Sequence, residues 1–127
     1  MVQKTAVNET KLEEMSQVFK VLADSNRLRV FEALMRGVSC NGWLTEELEL
    51  SPNLLSHHLK VLREAGLVQD RRDVVDGRWI YYSVDRAMAT RWHAWFNHFL
   101  NPARIQERIV CGPEGQLIPS DLIALSP

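Results

Sequence analysis

The sequence predicts a mainly α-helical domain that carries a two-stranded β-hairpin. Helix signals, either apolar residues at helical spacing or good capping residues, mark four segments before residue 66 and one after residue 85. Between them, the Asp76-Gly77 pair is flanked by Val74-Val75 and by the β-forming run at residues 79–82, a pattern typical of a hairpin. A length of 127 residues with 46% hydrophobic and 24% charged residues is typical of one globular domain.

The first two helices follow from apolar spacing and capping residues. The segment Lys11–Ala23 repeats apolar residues at helical intervals. Asp24–Asn26 then offers N-caps for a second helix over Arg27–Arg36, and Gly37 suits its C-terminal cap. Val38–Trp43 is predicted to be a connection.

A short third helix is predicted over Thr45–Leu50, with Thr45 as its cap and acidic residues near its start. The fourth helix begins at Ser51-Pro52, because Ser is a good N-cap and Pro is well tolerated at the first helical position. Gly66 is predicted to end it.

The fourth helix has two different sides when its residues are placed about 100° apart. His58 falls among the leucines and is predicted to be packed or partly buried. The opposite side holds short hydrogen-bonding groups, two cations and one acid: Asn53, Ser56, His57, Lys60, Arg63 and Glu64. Short polar side chains near a helix N-terminus suit close contact with base edges of DNA.

The hairpin and the last helix follow. Three arginines lie on the hairpin, Arg71 and Arg72 on its first strand and Arg78 after its turn. Neighbouring aspartates dilute this charge, so an ordinary solvated hairpin remains an alternative. Asp85 is the predicted cap of a strongly apolar helix over Arg86–Leu100.

The bulk properties restrict location and function. The formal net charge of −1 argues, by itself, against nucleic-acid binding, although a local basic surface is compatible with it. No run approaches the roughly 18 apolar residues of a membrane helix, and the N-terminus lacks a signal-peptide core, so we expect a cytoplasmic protein without a membrane partner. Two cysteines cannot build a disulfide framework.

The segments "LADSNRLRVFEAL" and "LSPNLLSHHLKVLREAGLV", followed by the hairpin, resemble the ArsR/SmtB family of bacterial transcriptional repressors over about Val18–Leu100. The resemblance implies a winged helix-turn-helix with a two-stranded β-wing, and a homodimer that forms through the first and last helices. The exposed aromatic residues expected on the last helix favour a dimer independently. The predicted division is a DNA-binding and dimerisation domain over residues 1–102 and a tail over residues 103–127, for which loop with short extended pieces is expected.

For such a repressor, the partner is a near-palindromic double-stranded DNA operator. The base-reading candidates are Asn53, Ser56 and His57. The phosphate-binding candidates are Lys60, Arg63, Arg71, Arg72 and Arg78. An enzyme is not expected, since the sequence contains neither a nucleophile elbow nor a phosphate-binding glycine loop.

The sequence allows several chemical classes of inducer that would release the protein from its operator. Cys40 aligns with the first cysteine of the family's metalloid-binding motif, but Gly42 stands where the second cysteine would be. Cys40 and Cys111 are therefore candidate sensor thiols, for oxidation or for a soft metalloid, and an inert buried Cys40 is the alternative.

No cofactor and no metal site are assigned, apart from a metal or metalloid that would act as inducer. His93 and His98, five residues apart on one helix, diverge too far to share an ion readily. Two alternatives remain: a winged helix used for protein contact, and a small apolar ligand held by Trp43, Trp92, Trp95 and Phe96.

Overall fold

A computed structural model describes residues 2–106, with side chains from residue 11 onwards. The chain divides into two compact units, residues 1–89 and residues 90–127, and the boundary falls within the last helix. The elements, in chain order, are α1 (Val2–Leu22), α2 (Ser25–Met35), β1 (Ser39–Cys40), α3 (Asn41–Leu48), α4 (Pro52–Glu64), β2 (Val68–Arg72), β3 (Ile80–Val84), α5 (Arg86–Phe99) and a 3-10 turn (Pro102–Arg104). The prediction of a mainly helical chain with a hairpin is confirmed.

Three helices begin where the capping residues predict. Asp24 caps α2 by accepting hydrogen bonds from the backbone N–H groups of Asn26 and Arg27, at 2.9 and 3.1 Å. The Ser51 hydroxyl accepts one from the N–H of Leu54 at 3.2 Å. The Asp85 carboxylate caps α5 through the third N–H of that helix, at 3.0 Å. Each bond satisfies a backbone donor that the helix itself leaves unpaired.

The third helix differs from its prediction. It begins four residues before Thr45, and the extended residue Cys40 occupies its N-cap position without a side-chain capping bond. The predicted cap at Thr45 is therefore wrong, because this hydroxyl lies inside the helix and donates to the carbonyl of Gly42 at 2.8 Å. The helix ends at Leu48, and the next residue, Glu49, adopts a left-handed conformation with φ of 55°.

The sheet is antiparallel and three-stranded, with the order β1-β3-β2. The expected two-stranded wing is present, since Val68 pairs with Val84 and Arg72 with Ile80. Strand β1 lies in the segment that the sequence predicts to be a connection. It pairs with β3, with Cys40 opposite Tyr81. The loop between β2 and β3 covers residues 73–79 and is longer than the two-residue turn that Asp76-Gly77 suggests.

The core of the first unit lies between the helices and the sheet. Its fully buried side chains include Met15, Val30, Leu44, Leu55, Leu59, Leu62 and Leu67. In the second unit, the α5 aromatics pack on one another: Trp95 stacks on Phe99 with ring centroids 4.4 Å apart and meets Trp92 edge-on. None of the helices within residues 2–106 is long and apolar enough to cross a membrane.

Candidate nucleic-acid interface

Helix α4 buries one side and exposes the other, as predicted. Leu55, Leu59 and Leu62 are at most 1% exposed. The predicted base-reading side chains, Asn53, Ser56 and His57, are all exposed, and so is Lys60. The leucine side therefore fixes the helix to the core while the short polar side chains face outward together.

Contacts on both ends hold α4 in place. A three-residue link, residues 49–51, joins it to α3, which gives a helix-turn-helix arrangement. Arg29 of α2 supports this turn, because its guanidinium donates to the Leu48 carbonyl at 2.9 Å and to the Asn26 side-chain oxygen at 3.2 Å. Sequence reasoning missed Arg29, since its partner lies 19 residues away and no local signal reveals it.

At the other end, Arg63 connects α4 to the first wing strand. Its guanidinium forms an ion pair with the Asp70 carboxylate at 2.7 Å. The hydrogen bond that Arg63 donates to the Asp70 carboxylate raises the pKa of Arg63. Arg63, a predicted phosphate contact, therefore also links α4 to the wing.

Two of the three wing arginines donate hydrogen bonds to oxygens of the wing itself. Arg72 donates to the Gly77 carbonyl at 2.7 Å. Arg78 makes two hydrogen bonds to the Asp76 carboxylate, at 3.0 and 2.8 Å, and this pairing lowers the pKa of Asp76. Within the described part of the chain, Arg71 and the helix residue Lys60 have no hydrogen-bond or ion-pair partner.

His58 is separated from this surface. It is 4% exposed, and its Nε2 lies 3.9 Å from the Asp24 carboxylate. Neither ring nitrogen has a hydrogen-bond partner among the described residues, and burial lowers the pKa of the ring. The prediction that His58 packs inside is confirmed, and the two adjacent histidines have different environments.

The candidate sensor thiol Cys40 is buried, at the end of β1 and directly before α3. It lies on a cleft of about 440 Å³ lined by Asn41, Gly42 and the wing residues 78–80. Cys111 lies outside the described residues, so the structure does not test its pairing with Cys40.

The described residues contain no cluster of side chains that would support the metal-binding alternatives. Within residues 2–106, no group of three or more His, Cys, Asp or Glu side chains lies close enough to hold a metal ion. His93 and His98 of α5 are both exposed. Trp43, one of the aromatic residues considered for a ligand pocket, is 71% exposed at the start of α3.

Comparisons with known proteins identify the family to which the chain belongs. The sequence profile described as "Bacterial regulatory protein, arsR family" matches residues 24–70, from the α2 cap into the wing. The transcriptional repressor SdpR of Bacillus subtilis is 31% identical over 87 residues, which are 68% of this chain and 93% of SdpR. The chain belongs to the ArsR family.

Two further transcriptional regulators are similar to this chain. The arsenic resistance transcriptional regulator ArsR1 of Pseudomonas putida is 48% identical over 68 residues, which cover 53% of this chain and only 51% of ArsR1. The crystal structure of the transcriptional repressor BigR from Xylella fastidiosa is 26% identical with a TM-score of 0.59, covering 76% of this chain and 95% of BigR. This ArsR-family protein is accordingly a DNA-binding transcriptional regulator with a winged helix-turn-helix, and not an enzyme.

Proposed function

We propose that this ArsR-family protein is a cytoplasmic repressor that binds a near-palindromic operator as a homodimer and leaves it when an inducer binds. The observation that supports this most strongly is the exposed row of Asn53, Ser56 and His57 on a helix whose opposite side is fully buried. Two such helices in a symmetric pair would contact two major-groove half-sites about one helical turn apart.

The exposed side chains have the chemistry that base reading needs. An Asn side chain makes two hydrogen bonds to adenine, and a Ser hydroxyl donates to or accepts from several base edges. Lys60 and Arg71, which have no partner in the described chain, supply the first phosphate contacts. Arg63, Arg72 and Arg78 are a second group, because each is held by an oxygen of the protein.

The test of base reading is an operator-binding measurement on single variants. We expect His57→Ala and Ser56→Ala each to weaken specific binding by about 1–3 kcal/mol, since a good base contact contributes that much discrimination. Glu32→Ala changes an exposed residue of α2, outside the helices assigned to the dimer, and is the control. The DNA is the region upstream of the protein's own gene, at two salt concentrations. Unchanged affinity in both α4 variants would refute the assignment.

A protein-contact module is the alternative function, and the same measurement separates it. A winged helix used for protein contact would show no preference for any operator-like fragment. A repressor forms a sequence-preferring complex whose affinity falls steeply with salt.

The homodimer has its own test. Light scattering after size-exclusion chromatography should give twice the chain mass of 14.6 kDa. A single-chain mass at the concentrations that saturate the operator would refute a dimeric repressor.

For the inducer, we propose a thiol reaction or soft-metalloid binding at Cys40. Its place before the first turn of α3, beside a cleft that includes wing residues, supports a link between the thiol and the DNA-binding elements. The similarity to ArsR1, an arsenic resistance regulator, supports the metalloid version.

The test compares operator release by arsenite, peroxide and polysulfide in the wild type, Cys40→Ser and Cys111→Ser. Loss of one response in Cys40→Ser identifies the inducer class. If every response persists without Cys40, the thiol proposal fails, and a transition metal or a small apolar ligand becomes the next candidate. No resident cofactor is part of the proposal.

A further inference from the structure

Two clefts lie side by side along β3 in the first unit of the chain. One, of about 290 Å³, is lined by the end of α2, the link that follows it, the end of β3 and the first turn of α5. The other, of about 340 Å³, lies against β2 and β3. Val38 and Ser83 line both clefts, so the two adjoin and form one groove, here called the β3 groove. Clefts of this size are typical of small-molecule sites.

The first cleft is mainly apolar. Five of its lining residues are Leu34, Met35, Val38, Val84 and Ala89. Met35 is 56% exposed and Val38 is 67% exposed, so apolar surface along this cleft is in contact with water. A ligand with an apolar chain would remove that surface from water, which is favourable.

The second cleft presents a cation. Arg71 pairs with Tyr81 in the register of β2 and β3. Two residues along each strand, Gln69 pairs with Ser83, so the four side chains lie on the same face of the sheet. All four residues line the cleft. Arg71 has no hydrogen-bond or ion-pair partner among the described residues.

The other charged residues that line the β3 groove already interact with the protein. The Asp70 carboxylate pairs with the Arg63 guanidinium at 2.7 Å. Arg86, which lines the first cleft, also takes part in an interaction within the chain. Among the described lining residues, Arg71 is therefore the charge that a ligand of opposite charge would neutralise.

We propose that the β3 groove binds a small amphipathic carboxylate, with its carboxylate on Arg71 and its apolar chain in the first cleft. From Tyr81, opposite Arg71, to Val84 at the apolar end, β3 advances about 10 Å at roughly 3.3 Å per residue. An extended medium-chain fatty acid such as decanoate has a comparable length, so one molecule reaches both ends. A guanidinium holds a carboxylate through two parallel hydrogen bonds, which fixes the orientation of the ligand.

The consequence for DNA rests on the proposed operator binding. Arg71 and Lys60 are the phosphate-binding candidates that have no partner in the described chain. A carboxylate on Arg71 would occupy the N–H donors that a DNA phosphate needs. The ligand should therefore weaken operator binding, and it would act apart from Cys40, which lines neither cleft.

The first experiment is calorimetric titration of the full chain with sodium decanoate, without DNA and below the concentration at which decanoate forms micelles. We expect the wild type to bind decanoate, and shorter fatty acids to bind about two- to fourfold more weakly for each CH₂ removed. Decanol, which lacks the charge, should bind about tenfold or more weakly than decanoate.

Matched variants locate the two ends of the ligand. Arg71→Gln should weaken decanoate binding about tenfold or more, whereas Arg86→Gln should bind it like the wild type. Val38→Glu places a negative charge in both clefts and should weaken binding more than the neutral Val38→Gln. Because Val38 is exposed, thermal unfolding without ligand should be the same for both Val38 variants.

The second experiment measures operator affinity with and without saturating decanoate. The wild type should lose about threefold or more in affinity. Arg71→Gln, whose operator affinity is already lower, should lose none. Operator affinity of the wild type that is unchanged by bound decanoate would overturn the competition for Arg71.

The outcomes separate this inference from the proposed function. A wild type that binds its operator but not decanoate, or that binds decanoate as tightly as Arg71→Gln does, overturns the inference and leaves the repressor proposal standing. Weaker binding in Arg86→Gln alone also overturns it. Decanoate that splits the dimer would show that the groove is an interface between two copies, against the inference. A wild type that binds decanoate through Arg71 but prefers no DNA supports the ligand site and refutes the proposed function.

Discussion

Replacing Leu62 by Ala should destabilise the protein by about 3–4 kcal/mol. Leu62 is completely buried on the leucine side of α4. The change removes three buried carbons, which at about 0.8 kcal/mol for each is about 2.4 kcal/mol of transfer free energy. The cavity that remains adds to this loss, because a packed core relaxes only in part. A loss of that size is a large fraction of the roughly 5–15 kcal/mol that stabilises a typical domain.

The measurement is urea unfolding followed by far-UV circular dichroism at one fixed protein concentration, since dimer formation would make stability depend on concentration. Leu54→Ala is the control on the same helix, because Leu54 is 39% exposed and should cost less than about 1 kcal/mol. The reasoning about the two sides of α4 is refuted if Leu54→Ala costs as much as Leu62→Ala, or if Leu62→Ala costs less than about 1 kcal/mol.

Three other changes test local features of the fold. Ser51→Ala should cost about 1 kcal/mol in chemical unfolding, since the N–H at the start of α4 loses its acceptor. Gly66→Ala should cost about 1–2 kcal/mol because φ is +77° there, whereas Gly77→Ala, at an open position without positive φ, should change stability little. His58 has a lower pKa when folded than when unfolded, because burial disfavours its charge. The unfolded state therefore takes up the proton first, and the stabilisation present above the unfolded pKa of about 6.5 is lost as pH falls toward the folded pKa. His58→Leu should flatten the dependence of the free energy of unfolding on pH between pH 8 and 5, and a flat wild-type profile would contradict the burial argument.

Local sequence signals predicted the helix starts but not the long-range contacts. The caps at Asp24, Ser51 and Asp85 were predictable because each side chain bonds an N–H within three residues. The strand at residues 39–40 was missed because it exists only through pairing with β3, about 40 residues later in the chain. Thr45 was wrongly predicted to cap the third helix, because a threonine hydroxyl inside a helix can also donate a hydrogen bond to a carbonyl of the preceding turn.

In the candidate interface, too, local features could be predicted from the sequence and long-range contacts could not. The helix wheel placed His57 outside and His58 inside correctly, because direction on a helix depends only on spacing. It could not foresee that Arg63 pairs with Asp70, since that contact requires the strand to return beside the helix. The exposure of Val74 and Val75 in the wing was also not predicted, because apolar residues beside a turn usually pack within the hairpin.

The net charge of −1 is compatible with DNA binding because several acidic groups of the wing are already paired within it. Asp70 and Asp76 each hold an arginine, and those pairs contribute little net charge to the surface. Of the five predicted phosphate-binding cations, Lys60 and Arg71 have no hydrogen-bond or ion-pair partner among the described residues, which would give four such cations in the proposed dimer. The slope of log affinity against log salt should then be about −4 if the intrachain pairs persist on DNA, and about −9 if all ten predicted cations of a dimer reach phosphates. We expect the shallower slope, because opening the Arg63–Asp70 pair would release the wing from α4. A slope near −9 would show that the arginines exchange their oxygen partners within the protein for phosphates, and that the Arg63–Asp70 pair does not hold the wing in the complex.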